Sequence, residues 1–323
     1  MANRDSQEFK NRLDFEMEFI DYDSETGHAT FKLTPHPRRY EWREIDGERY
    51  LYDRFDETLM SEDVLREAIE GMGVMPVRYQ PPEIANAESY VASRIHAIRE
   101  ELTGRFDPPT YSNPSDDFLR SLTVDELEFV ILSLDLVGST KLSTEQPRAD
   151  YAITVQTLLF EVSEIVSKFH GHILKYTGDG IIAYFPSPNF IAMNDLGIDC
   201  ALTLRRLVYN GMNNVLRELG RPAIDIRIGL DSGPAAILVI GSGRTKQHKD
   251  LIGDVVSLAC KIQAQAPSGG IALGDVTARS LHVRWREICT EMPMPPTWSY
   301  RDRETNEPYR VHRVDARDWP IQS

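Results

Sequence analysis

The chain has 323 residues, 41% of them hydrophobic, which is enough for a sizeable core in two units or in one large domain with an extension. With 50 Asp and Glu against 36 Lys and Arg, the net charge is −14, so the surface lacks the basic bias of a general nucleic-acid binder. Cys200, Cys260 and Cys289 lie far apart without Cys-x-x-Cys or Cys/His spacing, arguing for a reducing cytosol and against a structural zinc site.

Met1 to Tyr22 is charged and has no apolar stretch of the signal-peptide kind. No run approaches the ~18 apolar residues of a membrane span, so the expectation is a soluble, cytoplasmic protein. Residues 1–120 read as an N-terminal extension with no catalytic constellation, and His28 and His36 as solvated surface residues. Within it Phe15–Ile20 and Ala29–Leu33 alternate as strands do, and Glu62–Gly71 and Ala87–Leu102 have helical spacing. Pro108-Pro109 and Asn113 to Asp117 predict a turn-rich linker.

Residues 121–315 read as a catalytic domain, with 316–323 as a tail. Phe129–Leu134 is an apolar run fit for a central strand, followed directly by Asp135-Leu136-Val137-Gly138-Ser139-Thr140. Pro147 suits the first turn of a helix that runs through Phe169. Two apolar runs, His172–Tyr176 and Ile181–Phe185, flank Thr177-Gly178-Asp179-Gly180 and predict a hairpin with Asp179 at its tip. A helix over Phe190–Leu219 follows, then a strand over Ala223–Gly233 with Ala235–Ile240 as its hairpin partner. A polar loop at Gly241–Lys249, a helix at Asp254–Gln265, a strand at Ile271–Leu273, a helix from Asp275 and a strand around Tyr309–Val314 complete the chain. This order predicts an α/β (α+β) fold: a mixed, mostly antiparallel sheet flanked by helices, ferredoxin-like rather than doubly wound.

Asp135 and Asp179 each end an apolar strand, and if those strands are neighbours both carboxylates reach one sheet edge. Two oxygen donors without His or Cys suit hard cations such as Mg²⁺ or Mn²⁺, which also take phosphate oxygens. The small, hydroxyl-bearing loop Leu136 to Thr140 offers backbone N–H groups to such phosphates.

Three blocks together, Leu134–Thr140, Lys175–Gly180 and Asp250–Ala259, resemble the class III nucleotidyl cyclases over roughly residues 125–314. The resemblance implies that Asp135 and Asp179, with the backbone carbonyl of Leu136, hold two divalent cations, Mn²⁺ or Mg²⁺. It implies in-line attack of a ribose 3′-hydroxyl on the α-phosphate of a nucleoside triphosphate, giving a 3′,5′-cyclic nucleotide and pyrophosphate. It also implies a homodimer with two active sites at the interface, Val137, Gly138, Ser139 and Thr140 at the phosphates, and Lys175 and Asp250 as base-selecting residues. Arg244 and Lys246 precede Asp250 in a loop where they would neutralise the triphosphate. Two positions depart from the family pattern: Ser257 stands where an asparagine orients the ribose, and Lys261 where an arginine meets transition-state charge. Lysine keeps the charge and loses the planar fork.

A lysine donor beside an aspartate acceptor fits adenine, cytosine and uracil alike, and guanine also presents a carbonyl beside an N–H, so complementarity alone does not choose the base. A stand-alone cyclase domain behind a charged extension, with Lys-Tyr-Thr-Gly-Asp-Gly-Ile-Ile-Ala-Tyr-Phe at the hairpin and the two replacements, is similar to the pyrimidine cyclases of bacterial anti-phage signalling. Those make cyclic UMP or cyclic CMP, a diffusible signal that switches on a separate effector, and the resemblance implies UTP as substrate. The alternatives are an adenylate or guanylate cyclase and, from Ser257 and Lys261, a catalytically silent nucleotide-binding dimer.

Overall fold

Alternation with a period of two governs the first elements in the computed structural model, which describes residues 12–72, 81–105, 114–122, 126–186, 190–242, 247–303 and 305–315. Contacts divide the chain into two units, Met1–Arg78 with His282–Arg284, and Tyr79–Leu281 with Trp285–Ser323. The division expected at residue 120 is one of sequence texture; by contact, the described residues between 81 and 120 group with the second unit.

In the first unit β1 (Phe15–Asp23) and β2 (His28–Pro35) form an antiparallel two-stranded ribbon. A bulge between Phe19 and Asp21 inserts Ile20. Next come β3 (Tyr40–Ile45), β4 (Glu48–Asp53) and β5 (Thr58–Ser61), an antiparallel meander absent from the expectations, and α1 (Glu62–Met72). Its small core is Tyr40, Leu51 and Leu65, with Phe15 packed against it. Arg39 is buried between Asp14, Asp53 and Asp56, and these three carboxylates offset the cost of burying its charge.

The second unit opens with α2 (Ala87–Leu102), capped by the Asn86 side chain on Ser89 N–H, and α3 (Pro114–Ser121). The expected linker is corrected over Pro114–Asp117, where Pro114 begins a helix because its missing N–H is unneeded in a first turn. Pro108-Pro109 and Asn113 lie outside the described residues.

β6 (Glu126–Leu136) is the central strand; it is followed by α4 (Ser139–Glu145), α5 (Arg148–Lys168), β7 (His172–Tyr176) and β8 (Ile181–Pro186). α6 (Phe190–Arg206), a π-helical turn at Leu207–Met212 and α7 (Asn213–Glu218) run as one long rod, as expected apart from the π turn. β9 (Ile226–Ile240), β10 (His248–Ile252), α8 (Asp254–Gln265), β11 (Ile271–Gly274), α9 (Asp275–Ser280), α10 (Val283–Arg286), β12 (Cys289–Glu291) and β13 (Val311–Val314) complete the chain.

The sheet order is β12-β13-β11-β9-β6-β8-β7, with β10 also on β9. Only the β9–β11 pairing is parallel, so the expected mixed, mostly antiparallel sheet flanked by helices is what forms. Apolar clusters on both faces explain why β6 and β8 read as continuous apolar runs.

One hairpin is misplaced by the sequence reading. Gly233-Pro234 does not turn: β9 is one strand of 15 residues, and its hairpin partner is β10. Residues 231–235 pair with β6 alone, between the stretches held by β11 and β10, so Pro234 leaves no ladder bond unmade on that open edge.

β7 carries a second bulge, between Ile173 and Lys175. Past it Lys175 stands opposite Ile182, which is itself opposite Ser133. Alternation then puts Lys175 on the same sheet face as Asp135.

Candidate active site

β6 and β8 are adjacent and antiparallel, with Leu134 opposite Ile181, so the β7–β8 tip falls beside Asp135. Thr177 N–H donates to Gly180 O at 2.9 Å across the tip, and Gly178 turns it at φ +93°. A Cβ on Gly180 would lie 2.4 Å from Leu134 O and 3.0 Å from Asp135 Oδ1. Glycine at 180 is therefore a condition for the tip to seat against β6.

The two carboxylates sense each other. Burial first, and then the Asp179 charge, push the Asp135 carboxyl above its ordinary range, against the Leu136 backbone N–H and Arg227, which favour its anion. Asp179 Oδ2 is buried with no hydrogen-bond partner. Among the described residues no group of three or more His, Cys, Asp and Glu side chains is placed to hold a metal ion. A hard divalent cation fits this donor set: carboxylate oxygens only, one of them orphaned, with the remaining positions left to backbone and phosphate oxygens.

Two residues missed by sequence reasoning stand here. Arg227 is the cross-strand partner of Asp135 on β9, and its Nε is buried without a partner. Tyr151 of α5 hydrogen-bonds Ser139, and burial, Asp179 and Asp135 all raise its hydroxyl pKa. Arg227 had a signal, a charge inside an alternating strand beside apolar runs. Tyr151 had none beyond its place on a helix.

In the loop after β6, Gly138 adopts φ +67° and starts α4. The expectation for Val137 is corrected: its N–H donates to Asp225 O at 2.8 Å and is not left for a phosphate. Gly138, Ser139 and Thr140 remain beside Asp135.

Lys175 and Asp250 are brought together. Lys175 Nζ lies 2.8 Å from Asp250 Oδ2, and His248 Nε2 lies 4.0 Å from the same oxygen. Asp250 Oδ1 accepts from Leu251 N–H at 2.8 Å, so this carboxylate is satisfied on both oxygens.

Ser257 and Lys261 are exposed one turn apart on α8. Asp254 in the first turn of that helix pairs with Arg303, another residue the sequence reading did not single out. Arg244 and Lys246 lie outside the described residues.

Residues 125–294 match the family described as the adenylate and guanylate cyclase catalytic domain. The chain is 26% identical over 189 residues to a putative adenylate cyclase 3 of Rhizobium meliloti, covering 55% of this chain and 29% of that protein. It is 26% identical over 169 residues to a cytidylate cyclase of Escherichia coli, covering 50% and 36%. The chain thus spans about a third of the length of these curated relatives. The crystal structure of the adenylyl cyclase CyaB from P. aeruginosa aligns with a TM-score of 0.51 at 19% identity, covering 60% of this chain and 96% of that one. The guanylyl cyclase Cya2 aligns at 0.50 and 19%, covering 59% and 92%. Both structural likenesses are likenesses of fold. No helix among the described residues is long and apolar enough to cross a membrane.

Proposed function

Since the chain belongs to the adenylate and guanylate cyclase catalytic-domain family, we propose that it converts a nucleoside triphosphate, UTP, to the 3′,5′-cyclic monophosphate and pyrophosphate. The observation that carries the cyclase reading is the Asp135–Asp179 pair, two mutually repelling carboxylates with one buried oxygen unpartnered. Asp135 and Asp179, with the Leu136 carbonyl, would hold Mn²⁺ or Mg²⁺. The chemistry such ions supply when bound is to make the ribose 3′-hydroxyl more acidic and to offset charge on departing pyrophosphate.

The remaining work belongs to the chain. Ser139 and Thr140 hold the phosphates beside Asp135, with Tyr151 fixing the Ser139 hydroxyl. Ser257 positions the ribose and Lys261 meets the charge that builds at the α-phosphorus. The 3′-oxygen bonds to that phosphorus as the bond to the bridging oxygen breaks, and the hydroxyl proton leaves to solvent. Lys175 and Asp250 exchange their mutual ion pair for hydrogen bonds to the base. In the homodimer each site takes its carboxylate pair from one subunit and its base and ribose contacts from the other.

The likeness to a cytidylate cyclase supports a pyrimidine base, and the anti-phage resemblance supports UTP with a diffusible signal read by a separate effector in the cytoplasm. The likeness to a putative adenylate cyclase supports the second reading, ATP or GTP. Incubation of the purified chain with Mn²⁺ and each of the four nucleoside triphosphates separates them. Cyclic UMP with stoichiometric pyrophosphate is expected. Cyclic AMP or cyclic GMP as sole product sinks the pyrimidine reading, and no pyrophosphate from any substrate leaves a silent nucleotide-binding dimer.

A further inference from the structure

The β1–β2 ribbon sorts its side chains completely by face. Phe15 pairs with Pro35, Met17 with Leu33, Phe19 with Phe31 and Tyr22 with Ala29, and these eight residues share one face. The other face carries Glu16, Glu18, Asp21 and Asp23 opposite Thr34, Lys32, Thr30 and His28. The bulge at Ile20 keeps this sorting intact, because the extra residue returns Tyr22 to the apolar side.

Only the root of the apolar face is packed, through Phe15 on the core of its unit. Beyond it Met17 is 68% exposed, Phe19 59%, Tyr22 56% and Phe31 43%. Phe19 and Phe31 meet edge to face at 5.9 Å, forming an aromatic ridge. A bare two-stranded ribbon is marginal in water, so this face requires a cover.

We propose that the cover is the same face of a second copy of this chain, the two ribbons stacking apolar face to apolar face. Charge selects this occupant. The back of the ribbon is acidic and the chain carries −14, so an anionic lipid surface or a nucleic acid would be repelled. Two copies of so acidic a chain meet with little repulsion through uncharged surface, and stacking leaves both acidic faces in water. Each ribbon offers roughly 500 Å² of exposed apolar surface, so stacking removes about 1,000 Å² in total, the size at which specific interfaces begin. This contact uses residues of the first unit alone and requires no activity.

The test uses the full chain with a benzophenone amino acid in place of Phe19, mixed with ¹⁵N-labelled unsubstituted chain and irradiated. Cross-links to residues 15–35 of the labelled copy are expected. In parallel, the double variant Phe19→Glu, Phe31→Glu should raise the dimer dissociation constant in sedimentation equilibrium at least about tenfold, with its circular dichroism unchanged. Cross-links confined to the same chain, absent from that segment, or captured by added phosphatidylcholine–phosphatidylglycerol vesicles would overturn the proposal. So would an unchanged dissociation constant or a chain that stays monomeric.

Discussion

Asp179 and Asp250 both place carboxylate oxygens out of water, yet one keeps an orphaned oxygen and the other is paired on both sides. A buried acceptor left unmade costs about 1–3 kcal/mol, so the Asp179 end favours any cation that supplies the missing partner. The Lys175–Asp250 end is already satisfied. On the proposed function, a base entering there would trade one set of hydrogen bonds for another, and discrimination would come from pocket shape and from whatever polar group is left unpaired. The carboxylate end would then carry rate, and the ion-paired end choice.

Asp179→Asn breaks the comparison most severely. Pyrophosphate release should fall about a thousandfold, several kcal/mol of lost charge stabilisation. The metal-free variant should melt no lower than the parent, because Asp135 loses its repulsive neighbour; a marked drop in melting temperature would show Asp179 to be structural instead.

Lys175→Ala should cost roughly 10- to 100-fold in kcat/KM and narrow the gap between nucleotides, read by competing the four substrates. Mixing it with Asp179→Asn chains sharpens the point: in a shared-site dimer one site of the mixed pair is intact and activity returns. Heterodimers that form and stay inactive would mean each chain builds its own site.

The smallest effect is that of pH. Burial and then Asp179 raise the folded Asp135 carboxyl above its unfolded value. Its contribution to stability is complete below the ordinary carboxylate range and is lost as pH rises through the raised value. Metal-free protein should therefore lose no more than about 3 °C in melting temperature across that window. Mn²⁺ should reverse the loss, and Asp135→Asn should flatten it.

Much of this was readable in the sequence because local chemistry and fold agree. Gly178 and Gly180 announce the hairpin tip, the run Phe129–Leu134 announces the central strand, and α8 begins and ends at Asp254 and Gln265 as its spacing predicts. What stayed hidden depends on partners distant in the chain. Pro234 reads as a breaker until one sees that β9 has an open edge there. Arg227 matters through register with Asp135, and Tyr151 through the packing of α5 beside α4. Val137 lost its expected role to Asp225, a residue 88 positions away that no local pattern links to it.

The bulge in β7 has a consequence for how this site can change. Lys175 faces the Asp135 side of the sheet because β7 holds one residue more than β8 needs between Ile173 and Lys175. Were the bulge ironed out with no residue lost, Leu174 would take the place opposite Ile182 and Lys175 would fall opposite Ile181, on the face of the large apolar cluster. The direction of the proposed base contact is therefore set by the bulge that leaves Leu174 unpaired. Point substitutions can alter what Lys175 does, while the register past the bulge decides whether it faces the Asp135 side at all.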